Sequence, residues 1–190
     1  EGQPVEYAVK MRQLPREKIM KALLIQDKVG ERDITRLAEI MAAFHAKADS
    51  SPEITREGGM DSIRQNVEEN FSQTERYIGV SIPRRQHRET QEYATSFMKE
   101  KAPLFQRRIA QGRIRDCHGD LHSGQIFITN GIHILDCIEF NNRFRYIDVA
   151  SDIAFLAMDL DLYGRPDLSM LLIDHYLEKT HDEEVRQMLS

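Results

Sequence analysis

Residues 116–161 read DCHGDLHSGQIFITNGIHILDCIEFNNRFRYIDVASDIAFLAMDLD and hold most of the chemical information in this 190-residue chain. Two apolar runs, residues 125–129 and 132–138, are joined by Asn130-Gly131, a pair that favours the left-handed backbone of a two-residue hairpin turn. A polar loop, His118-Gly119-Asp120-Leu121-His122-Ser123-Gly124-Gln125, precedes the first run, and Asp136 and Glu139 lie at the end of the second. An antiparallel hairpin brings its two outer ends together, so the spacing predicts Asp120, Gln125 and Asp136 at one end of two paired strands. Two acids and an amide on a rigid hairpin point to a metal–phosphate site.

Outward from this stretch the pattern is helical. Ile34, Leu37, Met41, Phe44 and Ala48 recur at helical spacing behind Asp33, a good N-cap, and that helix carries His45, read as a packed or hydrogen-bonded core residue. Further helices are expected with Asp61 as a cap, from Gln86 to about Ala102 with an interruption at Pro103, from Asp152 to Leu162, and after Pro166, which suits a helix's first position. Gly30 and Gly112 are expected to close helices. Arg107, Arg108, Arg113 and Arg115 crowd one segment and read as a solvated face. Residues 5–11, VEYAVKM, alternate like a strand. The expected class is mostly α (α+β), with five to seven helices, one early strand and one central β-hairpin.

Composition narrows the function. Hydrophobic residues make up 41% and charged residues 30%, with a net charge of −5. This acidic balance shows no electrostatic footprint for nucleic acid or an anionic membrane. No apolar run approaches the ~20 residues of a membrane span, and no secretory signal is visible. Cys117 and Cys137 lie within the strand-like core and read as buried reduced thiols, so the expected compartment is cytoplasmic. The chain opens without an initiator Met and stops at Ser190 inside a helical pattern, so a fragment truncated at both ends is expected.

The order HGDLHSGQ, then a hairpin ending ILD, then IDVASDIA resembles the aminoglycoside phosphotransferase-like branch of the protein-kinase-like fold, whose pattern is HGDxxxxN, a strand pair ending in a metal-binding Asp, and a D…DLA helix start. The run DCIEFNNRFRYIDVASDIAFLAMDL is closer still to a bacterial subgroup often fused to a P-loop ATPase domain. The resemblance covers nearly the whole chain in outline. It implies the C-lobe of such a fold: residues 1–15 as the last N-lobe strand and hinge, and residues 16–190 as the helical C-lobe. It implies ATP and Mg²⁺ as cofactors, a nucleotide and a hydroxyl-bearing small molecule as partners, and transfer of the γ-phosphoryl group. Asp120 matches the catalytic aspartate, Asp136 the metal-binding acid, and His118, Asp148 and Asp152 supporting residues.

Two departures from that pattern stand out. Gln125 occupies the place of a metal-binding Asn, and its extra methylene displaces the amide by ~1.5 Å. Lys10 looks like the nucleotide-clamping strand Lys, but the 23 or so residues before the Ile34 helix leave no room for a Glu-bearing helix and two more strands. Tyr7, Val9, Lys10, Met11 and Arg12 are therefore expected to contact an adenine as a hinge, with the clamping Lys and Glu upstream and the fragment alone inactive. An alternative is a degenerate, regulatory kinase-like module controlling an attached ATPase, which Gln125 favours. A third reading takes His118, Asp120 and His122 as transition-metal ligands on one strand face.

Overall fold

A computed structural model describes Ala8, Lys10 and residues 13–189. The expected early strand and the hinge positions Tyr7, Val9, Met11 and Arg12 fall outside the described residues, and Lys10 is exposed. Helices dominate: α1 (Met20–Ile25), α2 (Glu31–Lys47), α3 (Pro52–Glu57), α4 (Met60–Thr74), α5 (Arg84–Glu100) and α6 (Ala102–Ala110) precede the polar loop. The strands β1 (Ile114–Asp116), β2 (Ile126–Ile128) and β3 (Ile132–Ile134) surround the loop, and α7 (Asn142–Arg145), β4 (Tyr146–Asp148), α8 (Val149–Leu162), α9 (Pro166–Thr180) and α10 (Glu184–Met188) follow. Among the described residues, no helix is long and apolar enough to cross a membrane.

The core is a helical layer with α9 lying against both α2 and α8. Ile34, Leu37, Ala38, Met41, Ala42 and His45 form the buried stripe of α2. This stripe is rotated from the expected one, placing His45 inside and leaving Phe44 40% exposed. Helix α8 buries Ile153, Leu156, Ala157 and Leu160 against Leu168, Leu172 and Tyr176 of α9. Each large aliphatic side chain so buried contributes roughly 1.5–3 kcal/mol, an upper value because the unfolded chain already hides some surface. Leu121 of the loop and Ile126 of β2 join the same cluster, so the loop is anchored in the main core.

Helix boundaries differ from expectation where two residues compete for one role. Helix α2 begins after Gly30, and Asp33 sits one turn in, accepting a hydrogen bond from the Gly30 N–H at 3.0 Å. A carboxylate satisfies an otherwise unpaired N–H from either place. Gly30 thus opens α2 rather than closing α1, and Gly59, not Asp61, caps α4. Pro103 marks the expected interruption between α5 and α6. It occupies the first turn of α6, where a missing N–H costs nothing. Gly112 follows α6 with φ of 70°, as a chain-reversing glycine should.

The central hairpin is present, with Ile126 opposite Ile134 and Ile128 opposite Ile132. A second antiparallel pair was not foreseen: β1 and β4 align Ile114 with Asp148 and Asp116 with Tyr146. Each strand has three residues, too few for alternation to register. Together, β1 and β4 deliver the chain to the polar loop on one side and to the start of α8 on the other. Helices α4 and α5 stand apart, contributing no buried residue. They touch each other through an edge-on contact of Phe71 and His87, ring centroids 5.3 Å apart.

Candidate functional site

The polar loop folds around Gly119, whose φ of 82° is left-handed and whose Cβ, were it present, would lie 2.5 Å from the Phe144 carbonyl oxygen. Only glycine meets both conditions. On either side of it, the backbone N–H groups of His118 and Gly119 donate to the Asp152 carboxylate, each at 2.9 Å. Asp152 is 1% exposed on α8 and also accepts from His45 Nε2 at 3.2 Å. With Nε2 donating, His45 Nδ1 accepts from the Tyr176 hydroxyl at 2.8 Å. The expected bracing role of Asp152 has this geometry, and His45 is the hydrogen-bonded core histidine.

His118 links the loop to the hairpin. Its Nδ1 accepts from the Asp120 N–H at 3.2 Å, which leaves Nε2–H to donate to the Leu135 carbonyl at 2.9 Å. Its own carbonyl accepts from the Ile138 N–H. One buried imidazole therefore fixes the backbone of Asp120 and of the residue before Asp136. Across the hairpin, the Leu135 N–H donates to the Gln125 carbonyl at 3.0 Å. Asp136 then turns out of the strand with φ of 61°.

This scaffold holds polar groups open to solvent. The Asp120 side chain is 39% exposed, and its ion-pair partner, His122 Nε2, is 3.6 Å away, beyond hydrogen-bond reach. His122 Nδ1 accepts from the Gly124 N–H, so that ring is occupied in shaping the loop. Asp136 is exposed and receives the Gln125 Nε2 amide at 3.2 Å. Adjacent oxygens around an octahedral Mg²⁺, each about 2.0–2.1 Å from the ion, lie roughly 2.9 Å apart. A half-turn of the amide would put Oε1 where Nε2 now stands. Such a turn would leave the amide oxygen 3.2 Å from an Asp136 oxygen, near the separation of neighbouring ligands in a magnesium shell. A site formed by His118, Asp120 and His122 does not fit a transition metal, because both nitrogens of His118 and Nδ1 of His122 already bond within the chain.

Asp148 has a different task from Asp152. Its side chain caps α8 by accepting from the Ala150 N–H at 2.9 Å, so that helix begins three residues earlier than expected. Arg108, fully buried, grips it with Nε and Nη2, each at 2.7 Å, and grips Asp182 at 2.8 and 3.1 Å. Burial works against the charged guanidinium, but the bonds to the two aspartates hold its pKa above the ordinary arginine value. Arg108 is thus a correction to the solvated-face reading of the arginine cluster. Asp159 serves the loop as well: its Oδ2 accepts from the Ser123 N–H at 2.7 Å. It lies two turns after Asp152 on α8, a spacing that places both acids on the face toward the loop.

The two cysteines are both free, Cys117 buried and Cys137 exposed, which corrects the expectation of two thiols within the core. Cys117, His45 and Asp152 lie close enough to suggest a metal group. The His45 nitrogens and the Asp152 oxygens are already engaged, however, and burial followed by the nearby Asp152 charge pushes the Cys117 thiol well above its usual pKa. A metal ligand must be a thiolate, so this cluster is a structural one.

The chain is 29% identical over 182 residues to the uncharacterized protein Rv2004c of Mycobacterium tuberculosis (strain H37Rv) and to the uncharacterized protein Mb2027c of Mycobacterium bovis. The match covers 95% of this chain and 36% of each relative, so the chain spans about a third of their length. No family model and no solved structure matches the chain.

Proposed function

We propose that this chain is the C-lobe, with hinge, of an ATP- and Mg²⁺-dependent small-molecule kinase of the aminoglycoside phosphotransferase-like type. The observation that carries the reading is the His118 link, which holds Asp120, whose carboxylate has no hydrogen bond among the described residues, to the hairpin end where the Gln125 amide meets Asp136. In the reaction, an acceptor hydroxyl oxygen bonds to the γ-phosphorus while the bond from that phosphorus to the β–γ bridging oxygen breaks. ADP leaves with that electron pair, and the hydroxyl proton passes to the Asp120 carboxylate. Mg²⁺ held by Asp136 and Gln125 would neutralise charge on the phosphate oxygens. His118, Asp152 and Asp159 do no chemistry. They hold the loop so that Asp120 needs no rearrangement to reach the acceptor.

In this reading residues 7–12 serve as the adenine-contacting hinge, and the clamping Lys and Glu would lie outside this chain, as would an attached P-loop ATPase. A second reading, a degenerate regulatory module, is favoured by the Gln125 amide, which already satisfies Asp136 without a metal. Calorimetry of the natural full-length protein with ATP, with and without Mg²⁺, separates the two. The kinase reading expects Mg²⁺-dependent binding, and Asp120→Asn should lower transfer about 10²- to 10⁴-fold while sparing that binding. Undiminished turnover in Asp120→Asn overturns the role of that residue, and metal-independent or absent nucleotide binding favours the regulatory module.

A further inference from the structure

Residues 60–100, which are α4, α5 and the turn between them, form an arm that the core does not hold. Neither helix contributes a buried residue, and helices in proteins are fixed mainly by packing an apolar face. The arm joins the body at two places. At one end Gly58 packs so closely on the Tyr146 carbonyl that no Cβ would fit, whereas a Cβ on the next residue, Gly59, would meet nothing nearer than 3.4 Å. At the other end the single residue Lys101 separates α5 from α6, and Phe97 stands edge-on to buried Phe105, ring centroids 6.3 Å apart. Short segments at the ends of elements are where hinged units absorb backbone rotation.

Between these two ends, one ion pair crosses from the arm to the body among the described residues. Glu69 of α4 meets Arg143 of α7 through bonds of 2.9 and 2.6 Å. Such a two-pronged pair is the form in which a surface ion pair contributes most. Those bonds, with one from Gln65, hold the Glu69 carboxyl down at about 2, so it stays ionised. The body side of the pair is well fixed. Asn141 caps α7 by accepting from the Arg143 N–H, the Arg145 carbonyl accepts from the Cys117 N–H at 2.8 Å, and Arg145 pairs with Asp116 at 2.8 Å. Arm and body enclose a groove of about 490 Å³, with α4 on one side and α7, α8 and Gly119 of the polar loop on the other.

We propose that residues 60–100 are a hinged arm and that the Glu69–Arg143 pair is the latch that holds it closed beside the polar loop. With the pair broken, the arm turns about Gly59 and Lys101 and the groove widens. Salt favours the broken form, because the two side chains are 38% and 21% exposed and mobile ions screen them. The inference rests on the kinase reading only for the statement that the latch governs access to Asp120.

The test uses the natural full-length protein with spin labels on unnatural amino acids at Ser72, near the far end of α4, and Asp161 of α8, both exposed. Pulsed dipolar spectroscopy reads the distance between them. At low salt the intact latch should give one narrow distribution. Glu69→Gln and Arg143→Ala should each raise the long-distance population about tenfold. High salt should do the same to the unsubstituted pair, which needs no variant to fold, and should leave Glu69→Gln unmoved. Exchanging the charges, Glu69→Arg with Arg143→Glu, should restore the narrow distribution. Arg36→Ala, which breaks a surface ion pair within α2, should change nothing. Distances unmoved by salt and by both latch variants, an equal shift in the α2 variant, or a charge exchange that fails to restore overturns the latch. If the arm opens as stated and Mg·ATP does not bind, the kinase reading falls and the latch stands. If Mg·ATP binds and the distances do not move, the reverse holds.

Discussion

Asp148 and Asp152 lie inside the molecule, 3% and 1% exposed, whereas Asp120 and Asp136 of the same region stand open to solvent. The buried pair is saturated. Asp148 has a guanidinium and a helix N-terminus, and Asp152 has two backbone N–H groups and an imidazole. The open pair is under-bonded: Asp120 faces a histidine too far to bond, and Asp136 receives one amide. The difference teaches how such a loop can keep a carboxylate under-bonded. A charge left unsatisfied at a surface costs little, while the rigidity it needs comes from buried charges that are satisfied completely.

The comparison can be broken from its buried side first. Arg108→Ala removes the partner of both Asp148 and Asp182, leaving two buried carboxylates to face the interior with only Arg113 nearby. Chemical denaturation should show a loss of about 3–5 kcal/mol, and a loss below about 1 kcal/mol would show that the network is not a keystone. The next effect in size sharpens the contrast directly. Asp152→Asn turns an NH₂ toward groups that all donate and should cost about 1–3 kcal/mol, whereas Asp120→Asn should change stability by no more than about 0.5 kcal/mol. Equal costs for the two substitutions would erase the distinction between buried scaffold acid and open acid. The smallest effect concerns thiols beside the two regions. In the native protein at neutral pH, a thiol reagent should modify exposed Cys137 readily and reach Cys117 only on unfolding, because burial holds Cys117 in the unreactive thiol form. Rapid modification of Cys117, read by mass spectrometry of peptides, would mean that the loop opens.

Much of the loop was legible because its signals are local. Asn130-Gly131 between apolar runs announces the hairpin, and the hairpin alone dictates that Gln125 and Asp136 meet. Helical spacing located α2, α8 and α9 to within a few residues. The starts of α2 and α4 were misjudged because Asp33 and Asp61 looked like caps, whereas a glycine before each supplied the non-helical backbone instead. The strands β1 and β4 were invisible because three residues give no alternation and their pairing spans some thirty positions. Arg108 looked like its neighbours in a basic run. Nothing local distinguishes an arginine that will lie between two aspartates forty and seventy-four positions away.

What the amino-acid sequence determined by itself was the chemistry on offer: a mostly helical chain, a glycine-hinged polar loop, and acids and an amide spaced to converge at a hairpin end. These follow from backbone preferences and periodicity, which act over a few residues. Only the tertiary structure decided which acids became scaffold and which stayed free. It also put His118 between the Asp120 loop and the Asp136 strand. Those outcomes depend on burial and on partners distant in the chain, because desolvation and pairing decide what a charged side chain does.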